Sequence, residues 1–305
     1  MKSKFLTIFS CILLAVTVSG QEKNAENSLK VLTIGNSFSR SLATYLPAAV
    51  RSAGYTIELE NVYIGAATLK THWDNIEKEG LNPDFKYFRK YTYKDLLQKK
   101  KWDVVTIQQG SHDSWQYQTY MPYAGNMIDF IKEFAPQAKI MIQQTWAYRP
   151  DDRRLGKWKI DQKQMYDALV DAYGKAAAEL NIKVIPVGTA VQLARETAPV
   201  KYVPYNRADF KYPDLPDMTG SYVGNIRWSK DKKRFEGDAF HLNRKGEFLQ
   251  ACVWFAVLFD RPVCDIKLEP RGIDKAEVEF LKNVAQKAVD EYRRKDSIPA
   301  AGPTR

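Results

Sequence analysis

Five short apolar runs, separated by longer stretches of helical periodicity, constrain this chain more than any other feature. The runs fall at 31–34, 57–64, 102–107, 139–142 and 182–187, the second interrupted by Asn61. Helical patterns occupy roughly 41–53, 93–101, 120–134, 158–180, 244–259 and 274–294. A run that is apolar at nearly every position has no solvent face and belongs in a sheet covered on both sides. Alternation with helices makes the strands parallel, because parallel neighbours need a crossover. The expected fold class is α/β: three α/β/α layers around a mostly five-stranded parallel sheet. Pro47 falls within the first helical stretch, so that helix is expected to kink or to start later.

The first twenty residues stand apart. Lys2 and Lys4 precede an apolar stretch over 5–16, and Val18-Ser19-Gly20 supplies small residues before Gln21. This is the pattern of a secretory signal peptide, too short to anchor in a bilayer, cleaved near Gly20. A periplasmic or extracellular location follows. No later stretch approaches twenty apolar residues, so no stable membrane insertion is expected. Residues 21–297 contain no Pro/Ser/Gly linker and no internal repeat and read as one domain; 298–305 read as a disordered tail.

Loss of the leader removes two lysines and no acids, lowering the formal charge from +10 to +8. The cations are dispersed except for Lys99-Lys100-Lys101, which ends a helix where cations suit the dipole. Together with export, this argues against a nucleic-acid partner. Two cysteines remain. Cys252 reads as core packing, and a Cys252–Cys264 disulfide stays open. No Cys/His group has zinc spacing, and no metal or organic cofactor is expected.

Polar or small residues follow every run: Gly35-Asn36-Ser37, Gly65-Ala66, Gln108-Gln109-Gly110-Ser111-His112, Gln143-Gln144-Thr145-Trp146 and Pro186-Val187-Gly188-Thr189. In open parallel sheets that edge is where ligands bind. Turn chemistry accounts for the glycines. It does not account for two Gln-Gln pairs, whose amides need partners when buried. Gln108 and Gln144 are therefore assigned to a shared substrate site. Trp146 and Tyr148 end the fourth run, either stacking on a sugar face or lidding the core. His72 reads as a wall or cap residue, with substrate contact as the alternative.

Ser37 sits on the glycine turn after the first run. A serine hydroxyl is a poor nucleophile until a base takes its proton. The chain has three histidines, His72, His112 and His241. His241 lies in a glycine-started loop three residues after Asp238, which can turn back to hold the imidazole and fix its tautomer. Ser39 and Ser41 read as caps for the first helix; Ser111 and Ser114 lack a glycine elbow. Residues 85–93 are rich in aromatics and cations and suggest a short exposed strand or hairpin covering the sheet edge. The loop over 199–235, with four prolines and four tyrosines, leads into Asp238 and is expected to wall the substrate cleft.

Five blocks in order resemble the SGNH, or GDSL-like, hydrolase superfamily, in particular a branch of secreted bacterial proteins. They are Gly-Asn-Ser at 35–37, Tyr-Ile-Gly at 63–65, Trp-Asp-Val-Val-X-X-Gln-Gln-X-Ser-His at 102–112, Gln-Thr-Trp-Ala-Tyr at 144–148 and Asp-X-X-His-Leu at 238–242. The resemblance spans 30 to about 258. It implies a flavodoxin-like fold with Ser37 as nucleophile, His241 as base and Asp238 as the acid that orients it. The oxyanion hole would use the backbone N–H groups of Ser37 and Gly65 and a side-chain donor after the third strand. Two departures stand out. Asn36 replaces the usual aspartate, and no asparagine follows Gly110, so His112 or Gln109 must supply the missing donor. The expected activity is hydrolysis of acyl esters, foremost O-acetyl esters of carbohydrates. The alternatives are a lipid or thioester hydrolase on the same triad, or a glycan-binding protein with a degenerate hole.

Overall fold

The computed structural model describes residues 27–82, 84–88 and 90–296. The leader expected over 1–20 and the tail expected over 298–305 lie outside the described residues. β1 (Ser28–Gly35), β2 (Thr56–Tyr63), β3 (Val104–Ile107), β4 (Lys139–Gln143) and β5 (Lys183–Ile185) form one parallel sheet in the order β2-β1-β3-β4-β5. This is the doubly wound, flavodoxin-like order, in which the chain reverses direction across the sheet between β1 and β3. The expected three-layer α/β/α fold is therefore what the chain has.

Ten helices are described: α1 (Ser37–Arg40), α2 (Leu42–Ser52), α3 (Leu69–Leu81), α4 (Tyr93–Gln98), α5 (Tyr123–Phe134), α6 (Arg153–Trp158), α7 (Gln162–Leu180), α8 (Val187–Thr197), α9 (Arg244–Phe259) and α10 (Lys275–Asp296). Strand alternation divides the core. Val31, Val104 and Met141 pack with α2, α8, α9 and α10. Leu32, Val105 and Ile142 pack with α3, α4, α5 and α7. The central strands β1 and β3 are largely apolar over their buried lengths because both faces are covered, whereas the edge strand β2 carries Glu58, Glu60 and Asn61 and stays part-exposed. α9 is buried from Phe248 to Ala256, as a helix apolar on all sides must be. No helix among the described residues is long and apolar enough to cross a membrane.

Several expectations need correction. The first helical stretch does not start late: it opens at Ser37, breaks at Ser41 and resumes with Pro47 inside α2. The stretch over 158–180 gives one helix, α7, which starts only at Gln162; Trp158 ends the separate α6, Lys159 takes a left-handed conformation and Asp161 caps α7 with Gln164. No strand occurs among the described residues of 85–93, which form turns leading to the Thr92–Asp95 capping box of α4. Helices α3, α6 and α8 were not anticipated. Nor was an antiparallel hairpin, β6 (Val223–Trp228) with β7 (Phe235–Leu242), inside and after the long loop. Cys252 is buried and Cys264 exposed, and both are free thiols.

Candidate active site

Ser37 opens α1 directly after β1. Asn36 caps that helix: its Oδ1 accepts the Phe38 N–H at 3.0 Å. It also accepts from Gln108 Nε2 at 2.6 Å, while Asn36 Nδ2 donates to the Ala67 carbonyl at 2.9 Å. One amide thus binds the nucleophile's turn to β3 and to the turn after β2. An ionised aspartate at this position could not donate to that carbonyl. Ser39 and Ser41, expected as side-chain caps, instead give their hydroxyls to the carbonyls of Asn36 and Phe38.

His241 and Asp238 reach the same place from the hairpin. They lie in β7, not in a free loop. Asp238 Oδ1 accepts the backbone N–H groups of Phe240 at 3.0 Å and His241 at 2.7 Å. Its Oδ2 lies 3.1 Å from His241 Nδ1, and His241 Nε2 lies 2.7 Å from Ser37 Oγ. Burial opposes ionisation of Asp238. The hydrogen bonds from the His241 ring and the two backbone N–H groups outweigh it, holding the carboxyl below its ordinary value. An ionised Asp238 fixes the tautomer with the proton on Nδ1, leaving Nε2 to accept from Ser37.

The hairpin is held from beneath. Trp146 N–H donates to the Phe240 carbonyl at 2.8 Å, and the Arg149 N–H donates to the Ala239 carbonyl at 2.8 Å. Phe38 stacks on Trp146 with centroids 4.1 Å apart. Gly224 adopts φ +95°, and a Cβ there would lie 2.2 Å from Arg149 Nη1. The guanidinium occupies the space that glycine leaves. Ser37, Asp238 and His241 open onto a cleft of about 320 Å³ with Arg40, Thr44, Asn225 and Glu247 among its walls and Trp146 as its floor. Asn225 brings the long loop's hairpin into the cleft wall. Burial raises the Glu247 carboxyl above its ordinary value.

The two Gln-Gln pairs are not substrate contacts. Gln108 is buried, giving its amide to Asn36 and taking one from Gln143. Gln143 also accepts from Gln250 at 3.0 Å and from Trp254 N–H at 2.7 Å. Gln250 in turn donates to the Phe38 carbonyl at 2.9 Å. This satisfied amide belt ties β1, β3, β4 and α9 together beneath the nucleophile. Gln109 donates both amide hydrogens to Thr119 and accepts from Leu69 and Gly110, so it has no donor left for an oxyanion. Gln144 is buried and accepts from Thr189. His72 is fully buried between the Tyr93 hydroxyl and the Gly35 carbonyl, and burial lowers its pKa to about 4. Tyr148 is buried against the Ser111 hydroxyl, and Ser114 is bonded within the same loop. Trp146 has no solvent-exposed surface for stacking.

Gly65 is exposed on the turn closed by Ala67 N–H to the Ile64 carbonyl at 3.2 Å, the same turn that Asn36 holds. The loop after β3 packs onto it so closely that a Cβ on Gly110 would lie 2.8 Å from Thr68 Cγ2 and 3.2 Å from the Ala67 carbonyl and His112 Cε1. His112 therefore stands on the same sheet edge, with its side chain 42% exposed. Of the two expected side-chain donors, Gln109 has its amide hydrogens taken by Thr119, which leaves His112 as the candidate.

The fold has parallels among solved structures. A crystal structure of a DUF4886 family protein from Bacteroides uniformis superposes with TM-score 0.70 at 28% identity, over 86% of this chain and 95% of that one. Looser likenesses are the lipase/acylhydrolase from Enterococcus faecalis and the acetylxylan esterase Axe2 from Geobacillus stearothermophilus. The first has TM-score 0.45 and 15% identity over 76% of this chain and 96% of that one. The second has TM-score 0.45 and 12% identity over 79% and 95%. Among curated proteins none matches by sequence. The family model for DUF4886, described as a domain of unknown function, matches residues 30–228, taking in Ser37, Gly65 and His112 and ending ten residues before Asp238; the chain belongs to this family.

Proposed function

We propose that this chain is an exported serine esterase that removes acyl groups, foremost O-acetyl groups, from carbohydrates through an acyl-enzyme. The observation that carries the reading is the continuous hydrogen-bond chain from Ser37 Oγ through His241 to Asp238, with links of 2.7 and 3.1 Å. His241 Nε2 takes the Ser37 proton as Oγ adds to the ester carbonyl carbon. The carbonyl oxygen becomes an oxyanion, met by the N–H groups of Ser37 and Gly65 and by a ring N–H of His112. Collapse expels the alcohol, which takes the proton from His241, and leaves the acyl group on Oγ. Water then gives its proton to His241 as it adds to the acyl carbon. The second collapse releases the acid and returns the proton to Ser37. Asp238 stays ionised throughout and stabilises the imidazolium.

A buried tryptophan floor and a cleft of about 320 Å³ favour a short acyl group. The signal-peptide pattern and the aromatic-rich loops favour a carbohydrate outside the cytoplasm. The test is labelling with a fluorophosphonate and mapping of the modified residue, alongside turnover of p-nitrophenyl esters from acetate to decanoate. Ser37 should carry the label, and acetate should be hydrolysed fastest. An active preparation labelled elsewhere sinks the triad, and a preference for long chains turns the reading towards lipids.

A further inference from the structure

The Asp238–Phe240 segment borders a second cleft, of about 670 Å³, which shares Asp238 with the cleft of Ser37. Five cations line it: Arg149, Arg153, Arg154, Lys157 and Arg207. It has only three carboxylates, and each is already engaged. Asp151 takes Arg149 in a two-pronged bond of 2.6 and 2.9 Å, Asp152 takes Arg154 at 2.6 Å, and Asp238 serves His241. Arg153, Lys157 and Arg207 have no carboxylate partner among the described residues and stand exposed on two facing walls, α6 and the long loop. Concave walls carrying one sign of charge focus the field on whatever enters.

The engaged arginines are held in fixed positions. Arg154 lies 4.1 Å above the rings of both Tyr148 and Phe240, its fork set by Asp152. Phe240 in turn packs against the His241 ring, with centroids 4.2 Å apart. An oriented guanidinium therefore sits one aromatic ring away from the imidazole that serves Ser37. With the Arg149 and Arg154 forks taken by Asp151 and Asp152, the exposed Arg153, Lys157 and Arg207 are the cations left for a ligand, and a guanidinium fork matches a planar carboxylate. We propose that this cleft receives the carboxylate of an acidic sugar, so that the esters handled at Ser37 are acyl groups on uronic-acid-containing glycans. The proposal rests on the esterase reading and deepens it.

The test separates binding from turnover. Ser37→Ala protein is titrated calorimetrically with an O-acetylated methyl glucuronide and with the matching O-acetylated methyl glucoside. The glucuronide should bind about tenfold more tightly, the scale of one charge-assisted hydrogen bond in a half-exposed site. That ratio should shrink towards one in a Ser37→Ala, Lys157→Gln, Arg207→Gln protein and in 0.5 M salt. Equal binding of the two sugars, or equal loss of both in the charge variants, overturns the proposal; so does tighter binding of a glucoside 6-sulfate than of the glucuronide. Hydrolysis of p-nitrophenyl acetate by the unaltered protein decides the esterase reading separately. A protein without that activity that still prefers the glucuronide keeps the cleft and loses the reaction.

Discussion

Asn36→Asp gives the chain the aspartate of the Gly-Asp-Ser block that its first motif resembles, and here it should be harmful in a pH-dependent way. Asn36 is 2% exposed and its Nδ2 donates to the Ala67 carbonyl at 2.9 Å. An ionised carboxylate keeps the bonds from Phe38 and Gln108 but leaves that carbonyl facing an oxygen, at a cost of about 2–3 kcal/mol for a buried group without a partner. A protonated carboxyl can donate to it instead. Protonation at pH 7 costs about 1.4 kcal/mol for each of the roughly three units above an ordinary aspartate pKa, or about 4 kcal/mol. The ionised form therefore wins at neutral pH. The two forms balance near pH ~5.7, which becomes the folded-state pKa of the new carboxyl. Because that value lies above the unfolded one, the added stability is fully present below pH ~4 and is lost as pH rises to about 6. Urea unfolding of both proteins should show a loss of about 1 kcal/mol at pH 4.5 and about 2–3 kcal/mol at pH 7.5. Equal losses at both pH values, or none, would refute the role given to the Ala67 carbonyl.

Ser37→Ala should abolish ester turnover beyond about a thousandfold while leaving the unfolding midpoint within about 0.5 kcal/mol of the parent. Asp238→Asn should lower kcat by about 10³–10⁴ with KM little changed, because the imidazole loses its tautomer and its counter-charge. The depressed carboxyl of Asp238 also has a stability signature. Its contribution is present above the ordinary aspartate range and is lost as pH falls through the lowered value, so parent and Asp238→Asn unfolding curves should converge at the acid end. Gly224→Ala places a Cβ 2.7 Å from the Asp238 carbonyl as well as on Arg149. Loss of activity should then accompany a loss of more than about 2 kcal/mol by thermal unfolding. Trp146→Ala removes the floor beneath Phe38 and should cost about 3–5 kcal/mol, measured by urea unfolding.

What could be read from the residues, and what could not, divides along the range of the interactions that fix them. The central strands were legible because a strand covered on both faces leaves a local mark, an unbroken apolar run, while the edge strand β2 shows only its alternating Ile57, Leu59 and the later Val62. Their parallel pairing followed from the helices between them. Helix α3 was missed although Leu69, Trp73 and Ile76 have helical spacing and Thr68 caps the helix through the Thr71 N–H. Its lysines and acids diluted a periodicity that burial of one face makes decisive. The hairpin escaped for another reason. β6 and β7 are held by the loop after β4, through Arg149 and Trp146. Glycine is required at 224 and 237 because φ is positive there and other groups, Arg149 and the Asn225 carbonyl, fill the space a side chain would need.

The Gln-Gln pairs show the limit of reading polar residues at strand ends as ligands. Buried amides need partners, and that premise was sound. Whether the partners are substrate or protein depends on residues far away in sequence, Asn36, Gln250 and Trp254, whose meeting no local pattern announces. The same belt bears on function. Each amide beneath Ser37 is bonded to a different element, so the α1 turn is fixed by the sheet's own framework and not by contacts made when substrate arrives. An oxyanion site made of backbone N–H groups stabilises charge only if those groups do not reorient as the charge forms. Gln108, which sequence pattern assigned to the substrate, therefore matters to catalysis from one layer below it, by holding Asn36 and with it the turns that carry Ser37 and Gly65.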